Sequence, residues 1–595
     1  MQKEAGKTFS IILLIFWAAM ALVVFNFGSR IVEGISFMRD GVGSMFREPD
    51  PQPAKGELSE KQRLILQGDV TQDTRAKRWL ALHEFEPENP VYYANYLNQV
   101  DEPPKDFRET IKRIDPDNGW FLIWEATLDT DFIIEKQKSL SSRKREQLKK
   151  KSKPIPPRDV NIIDEPAFEK RIQLLELAVQ SKKFNNYYLE LAEERHAALP
   201  PKPDVVGNIE NLVVIGQAFS PNIHWKYLSD LMSAGIQSAD TPEKFARFEK
   251  LALALEERSY QSISTLVEGL IYRAIISMNS TNLRIAAERH DLEQKAQIYR
   301  EREKIGEDYR DSIASKEAEE TEKLLSRRAG IIASLSIPAI GLTVKTPPSI
   351  TRADLHANLR AERAIASRML YGIGFIFLSL VTLLTWIRKR NKSNPAAFIP
   401  ELRLLLIGVL LPFGLLLFFR YFLSFGMLDY GGHLLVFWNY LLPAIGTLII
   451  MLCAPVCLLR TRAFPEATRL KIWWPLGTAV LALFLSAAMM ALIDIEVLQN
   501  VIVLAAPVLM VITLIGLVFP RVGDNRVEFD LTARLAPAYL FAACLFGLFI
   551  IGLQFEERYW VAKDDFMKPI PQGFTTIENE IVEILKIELR ELKPE

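Results

Sequence analysis

The sequence predicts an all-α polytopic membrane protein: one N-terminal anchor helix, a large extracytoplasmic α-helical domain with repeat-like turns, then a six-helix membrane bundle. Three observations predict it. Seven segments hold the roughly 20 apolar residues that a helix needs to cross a bilayer. They are 8–27 and, far downstream, 369–387, 404–424, 434–459, 473–493, 499–519 and 536–555. Charged side chains crowd instead into 29–368, although the whole chain balances 72 basic against 72 acidic residues. Finally, Lys and Arg alternate from loop to loop. The stretch 388–403 carries Arg388, Lys389, Arg390, Lys392 and Arg403, 460–471 and 521–534 are also basic, and 421–433 and 494–498 carry neither residue. Short cytoplasmic loops are the basic ones. The expected topology therefore has a cytoplasmic N-terminus, with 29–368 and the tail 556–595 outside.

The first segment, within 1–28, has a long apolar run and no small-residue cleavage site after it, so it reads as an uncleaved anchor. Residues 48–60 form a Pro- and charge-rich linker. Within 75–200 three stretches look alike: Glu86-Pro-Glu-Asn-Pro-Val-Tyr-Tyr, Asp115-Pro-Asp-Asn-Gly-Trp-Phe and Phe184-Asn-Asn-Tyr-Tyr. Each opens a helix with aromatics in its first turns, because Asp or Asn caps free amides and Pro suits the first turn. The stretches resemble the boundaries between tetratricopeptide repeats, which implies stacked helical hairpins and a concave surface that binds a protein or polymer.

The stretch 143–158 (RKREQLKKKSKPIPPR) is strongly basic and reads as a solvated loop or a contact for an anionic partner. Residues 283–328 read as one long polar helix or a hairpin, with Ile298, Ile305, Tyr309 and Ile313 as its apolar stripe. The run 331–342 is too short to span and reads as core. An amphipathic stretch, 351–368, leads into the bundle 369–555 as one continuous helix. In the tail, Thr575 and Glu578 have capping-box spacing, and Ile577, Ile581, Leu585, Leu589 and Leu592 share one face that packs on the domain or on a partner.

Catalytic motifs are absent: there is no H-E-x-x-H, Walker A loop, G-x-S-x-G or Cys-x-x-Cys pair. No catalytic residue, metal site or cofactor is assigned, and the neutral charge balance removes the electrostatic case for nucleic acid. All three cysteines (Cys453, Cys457 and Cys544) fall in membrane segments and read as small hydrophobes. Those segments lack charges at mid-depth, which argues against ion-coupled transport. Polar groups gather at the outer rim instead, as Arg420, Asp429, His433 and Asp494. Arg420 is expected to pair with Asp494 or Asp429, or to face a substrate.

The expected function is a membrane scaffold in a bacterial inner membrane, in contact with the lipid bilayer, whose outer domain binds an envelope protein or polymer. The alternative is a permease-like export component driven by a separate cytoplasmic ATPase, which would touch Arg388, Lys389 and Arg390.

Overall fold

The computed structural model describes residues 14–26, 28, 58–136, 160–200, 202–216, 223–312, 319–321, 324, 344–389, 402–418, 420–421, 434–463, 469–491, 508–509, 512, 525–566, 568, 570 and 575–592. An apolar helix, α1 (Leu14–Asn26), comes first. The domain then builds α2 (Glu60–Gln67), α3 (Arg75–Phe85), α4 (Pro90–Leu97), α5 (Phe107–Ile114), α6 (Trp120–Thr127) and the single turn α7 (Thr130–Ile133). A short antiparallel ribbon follows, β1 (Ile134–Lys136) paired with β2 (Val160–Ile162) in the register Glu135↔Asn161. Next come α8 (Glu165–Gln180), α9 (Tyr188–Ala198), α10 (Val205–Gly216), α11 (Ile223–Ser238), α12 (Pro242–Ser262), α13 (Leu266–Arg289) and α14 (Glu293–Ser312).

Capping side chains set many of these starts, as the sequence predicts. Asn89 accepts from the Val91 amide with Pro90 at the first position of α4. Ser59 with Gln62, and Thr265 with Glu268, make complete capping boxes. The aromatics that open α4, α6 and α9 are buried: Tyr92, Tyr93, Trp120, Phe121 and Tyr188 all join the interior.

The repeat resemblance itself is not supported. In a solenoid each unit touches only its neighbours, whereas α9 packs back against α2 and α4, and α6 lies between α8 and α11. The helices α4 to α6 are only 8 residues each. They close around one continuous core that runs from Leu64 to Leu355 and takes in the tail. The ribbon is a two-stranded sheet set among the helices, and it places Lys136 beside Val160. The basic stretch 143–158 lies outside the described residues, as does 331–342.

Of 283–328, the structure describes 283–312, 319–321 and 324. Asp291, at φ 57°, breaks the chain between α13 and α14, which pack on one another. Two members of the predicted apolar stripe, Ile298 and Ile305, face outward at 42% and 41% exposure. The buried seam is Ala296, Tyr299 and Arg302. Polar side chains can form that seam because each finds a partner: Tyr299 donates to Glu249 at 2.8 Å, Lys295 pairs with Glu249, and Arg302 with Glu256.

Beyond the domain, α15 (Arg352–Lys389) is one uninterrupted helix, started by Thr351 and Asp354 capping each other. Then come α16 (Leu402–Leu405), a π-helical turn Leu406–Leu410, α17 (Leu411–Phe418), α18 (Leu434–Ala463), α19 (Arg469–Ala491), α20 (Asn525–Ala562) and the tail helix α21 (Thr576–Glu591).

Three of these are long and apolar enough to cross a membrane, over Arg352–Leu384, Ile445–Arg462 and Leu535–Ala562. Three more predicted crossings fall on shorter apolar helices, Leu14–Asn26, Leu404–Phe418 and Ile472–Leu485. Of 499–519 only Val508, Leu509 and Ile512 are described. The helix α1 packs on this group: Trp17 Nε1 donates to Ser379 Oγ at 2.7 Å, and Met20 lies against Gly547. The most extensive interhelical contact is between α15 and α20.

The tail helix docks on the domain rather than standing free. Ile577, Ile581, Leu585, Leu589 and Leu592 are all buried in the domain core. Gly269 of α13 permits the close approach, since a Cβ there would meet Leu585 Cδ2 at 2.2 Å. Thr575 caps α21 through the Glu578 amide, but the Glu578 carboxylate crosses over and accepts from the Leu266 amide at 3.2 Å.

Candidate functional site

The helices α15 and α20 each run for 38 residues, well beyond the roughly 20 that a crossing needs. Their surplus turns meet α10 at the foot of the domain. Here Val205, Ala361 and Val561 form a small apolar cluster with Ile209, Ile365 and Trp560 against it. Around it lies a belt of buried polar groups. Arg368 pairs with Glu557, the two being 7% and 1% exposed. The other oxygen of Glu557 accepts from the Val205 amide at 3.0 Å. Arg420 donates to Glu556 at 3.0 Å and also to the Ser367 hydroxyl, and Tyr421 OH donates to Glu556 at 3.1 Å. Farther out, Asn358 donates to Asp564 at 3.3 Å, and His356 stacks edge-on against Trp560.

The short helix α10 is bracketed by opposite charges. At its N-terminus, where unpaired amides leave partial positive charge, stand Glu557 and Asp204, which accepts from the Gly207 amide at 2.8 Å. Near its C-terminus, Arg195 donates to the Val214 carbonyl at 3.1 Å and lies over the Trp79 ring at 5.2 Å. Burial pushes the Arg195 guanidinium down from its usual range, with Arg75 adding to the effect. The helix end and the ring face are what compensate its charge. Through α10, the ends of the two long helices thus connect to the core of the domain.

These contacts give Arg420 an ion-pair partner among the described residues. It pairs with Glu556 at the end of α20, and Asp429, His433 and Asp494 lie outside the described residues. Arg388 and Lys389 occupy the last turn of α15, and Arg390 lies outside the described residues. Sequence reasoning missed the Arg368–Glu557 pair and α10 altogether. The signal for α10 was present in its twelve residues, VVGNIENLVVIG, an apolar run preceded by a capping Asp.

The carboxylates of the site are occupied by guanidinium and amide donors. Among the described residues no group of three His, Cys, Asp or Glu side chains is placed to bind a metal ion. Comparisons with protein-family models, with curated proteins and with solved structures find no match for the chain.

Proposed function

We propose that the protein is an integral membrane scaffold whose helical domain stands outside the membrane and binds an envelope protein or polymer. The joint between α10, α15 and α20 is the observation that carries this reading. A domain that only needed tethering could hang from a linker. Here two Arg–carboxylate pairs and a helix N-terminus are buried at the joint, which fixes the orientation of the domain on its membrane helices. The alternation of basic loops supports a cytoplasmic N-terminus, an extracytoplasmic tail and a bacterial inner membrane. In the same reading 8–27, 404–424, 473–493 and 499–519 complete a seven-helix arrangement.

The partner surface is the base of the ribbon. Phe132 and Ile163 are 79% and 59% exposed there, next to the paired strands β1 and β2. Exposed apolar side chains, with eight Lys and Arg in the sequence 143–158 that joins the two strands, suit an acidic partner. A photo-crosslinking residue at Phe132, activated in native membranes, should capture an acidic protein or polymer from outside. Capture should disappear when the lysines of 149–153 are changed to glutamine. Capture that persists after that change refutes the assignment. A cytoplasmic ATPase captured from Arg388 or Lys389 instead would replace it with the export reading.

A further inference from the structure

Between α12, α13 and α14 the domain holds a partly open cavity of about 170 Å³, with Leu589 of the tail helix in its wall. Leu253, Ile276 and Leu589 supply apolar walls, and Arg302 and Tyr272 bring polar atoms to the lining. The Arg302 side chain is 4% exposed. One of its nitrogens, Nη2, bonds Glu256, whose second oxygen already accepts from Asn279 at 2.9 Å. The Nε and Nη1 groups are buried with no hydrogen-bond partner among the described residues. The buried Tyr272 hydroxyl, with Ser259 and Ser262 beside it, makes no well-aligned bond either.

Orphan donors of this kind are costly, and all of them call for an oxygen acceptor. A bond to an ionised acceptor is roughly twice as strong as a neutral one, so a carboxylate answers a guanidinium best. The size of the space sets the rest of the ligand, because an apolar cavity of roughly 150 Å³ takes a benzene ring. Glu257 also lines the cavity, and Arg590, stacked over Tyr260 at 5.0 Å, brings a second positive charge to that region.

We propose that this cavity binds a small carboxylate with a compact apolar body, held by Arg302 and Tyr272 and walled in part by Leu589. Because Leu589 belongs to α21, an occupied cavity also holds the tail helix in place.

The test uses the full-length protein in detergent, titrated with sodium benzoate, with benzamide as the uncharged isostere. Benzoate should raise the unfolding temperature by a few degrees in a saturable way, with benzamide at least tenfold weaker. Leu253→Trp fills the space without touching Arg302 and should abolish the benzoate response while unfolding remains cooperative. Should that variant not fold, Ile276→Phe fills the same space. The proposal falls if benzoate gives no saturable shift, if benzamide matches it, or if the filled variant responds like the wild type.

Discussion

Raising the pH from 5 to 8 is expected to loosen the tail helix from the domain, and Glu578 supplies most of the effect. Its carboxylate sits against the N-terminus of α13, where burial pushes its pKa from the ordinary 4.5 up to about 7. The neighbouring Glu268 carboxylate adds to the rise, and the Leu266 amide opposes it. In the undocked helix the group returns to its ordinary value. The docked state therefore holds more protons between pH 4.5 and 7, so docking is strongest below that window and weakens as pH rises through it. At about 1.4 kcal/mol per pH unit the full effect is about 3 kcal/mol. The side chain is only half-buried, and solvent screening reduces this to about 2 kcal/mol. Glu588 acts in the same direction: burial pushes it up to about 7, against the Thr346 and Lys345 amides and Arg273, with Glu591 adding to the rise.

A cysteine at Leu585, under the docked helix, reports the opening through its rate of thiol labelling relative to an isolated peptide of the same sequence. Protection should fall roughly thirtyfold between pH 5 and 8. Glu578→Gln keeps an oxygen for the Leu266 amide and should remove most of the fall. Protection that stays constant with pH, or that falls as steeply in Glu578→Gln/Glu588→Gln, would refute the reasoning.

Two further outcomes are expected. Arg368→Met leaves Glu557 buried without its guanidinium and should cost about 3–5 kcal/mol in thermal unfolding. Arg368→Met/Glu557→Leu should recover most of that loss, and a double variant no more stable than the single one would contradict the account. Gly119→Ala would place a Cβ 2.4 Å from the Ala178 carbonyl oxygen and should destabilise by about 1–3 kcal/mol. Gly306→Ala meets nothing within 4 Å inside α14 and should stabilise by about 0.5–1 kcal/mol, the two shifts being read from the same melting curves.

Composition alone made the apolar cores of α15, α18 and α20 legible, because a membrane-length run has no soluble counterpart. Periodicity made the buried face of α21 legible as well, since every member of its predicted stripe is apolar. The stripe of α14 was misread for the opposite reason. Its packed side chains are Tyr299 and Arg302, buried by partners on α12 that lie about 50 residues away, while its isoleucines face out. Arg420 shows the same limit. Among the described residues it pairs with Glu556, from a helix 136 residues onward. Which helix ends meet is decided by packing in three dimensions, and no local pattern records it. The tetratricopeptide likeness failed at that level too. Its first turn is a genuine cap, Asn89 on α4, but capping chemistry starts a helix without saying what the helix will stack on.

The docking of α21 has a consequence for the order in which the molecule is made. Residues 577–592 complete the core of a domain whose other members lie before residue 356, apart from Phe566. Between α13 and its partner α21 the ribosome must deliver almost 290 residues, including every apolar segment after the domain. At roughly 5–20 residues per second that takes about 15–60 s. Through this interval the Gly269 groove waits uncovered. The tail can fill it only after α20 has been synthesised, so the domain is sealed after every apolar segment before the tail has been made. A chain stopped short in that interval would carry a visible flaw, an open apolar groove, for quality-control proteases to find.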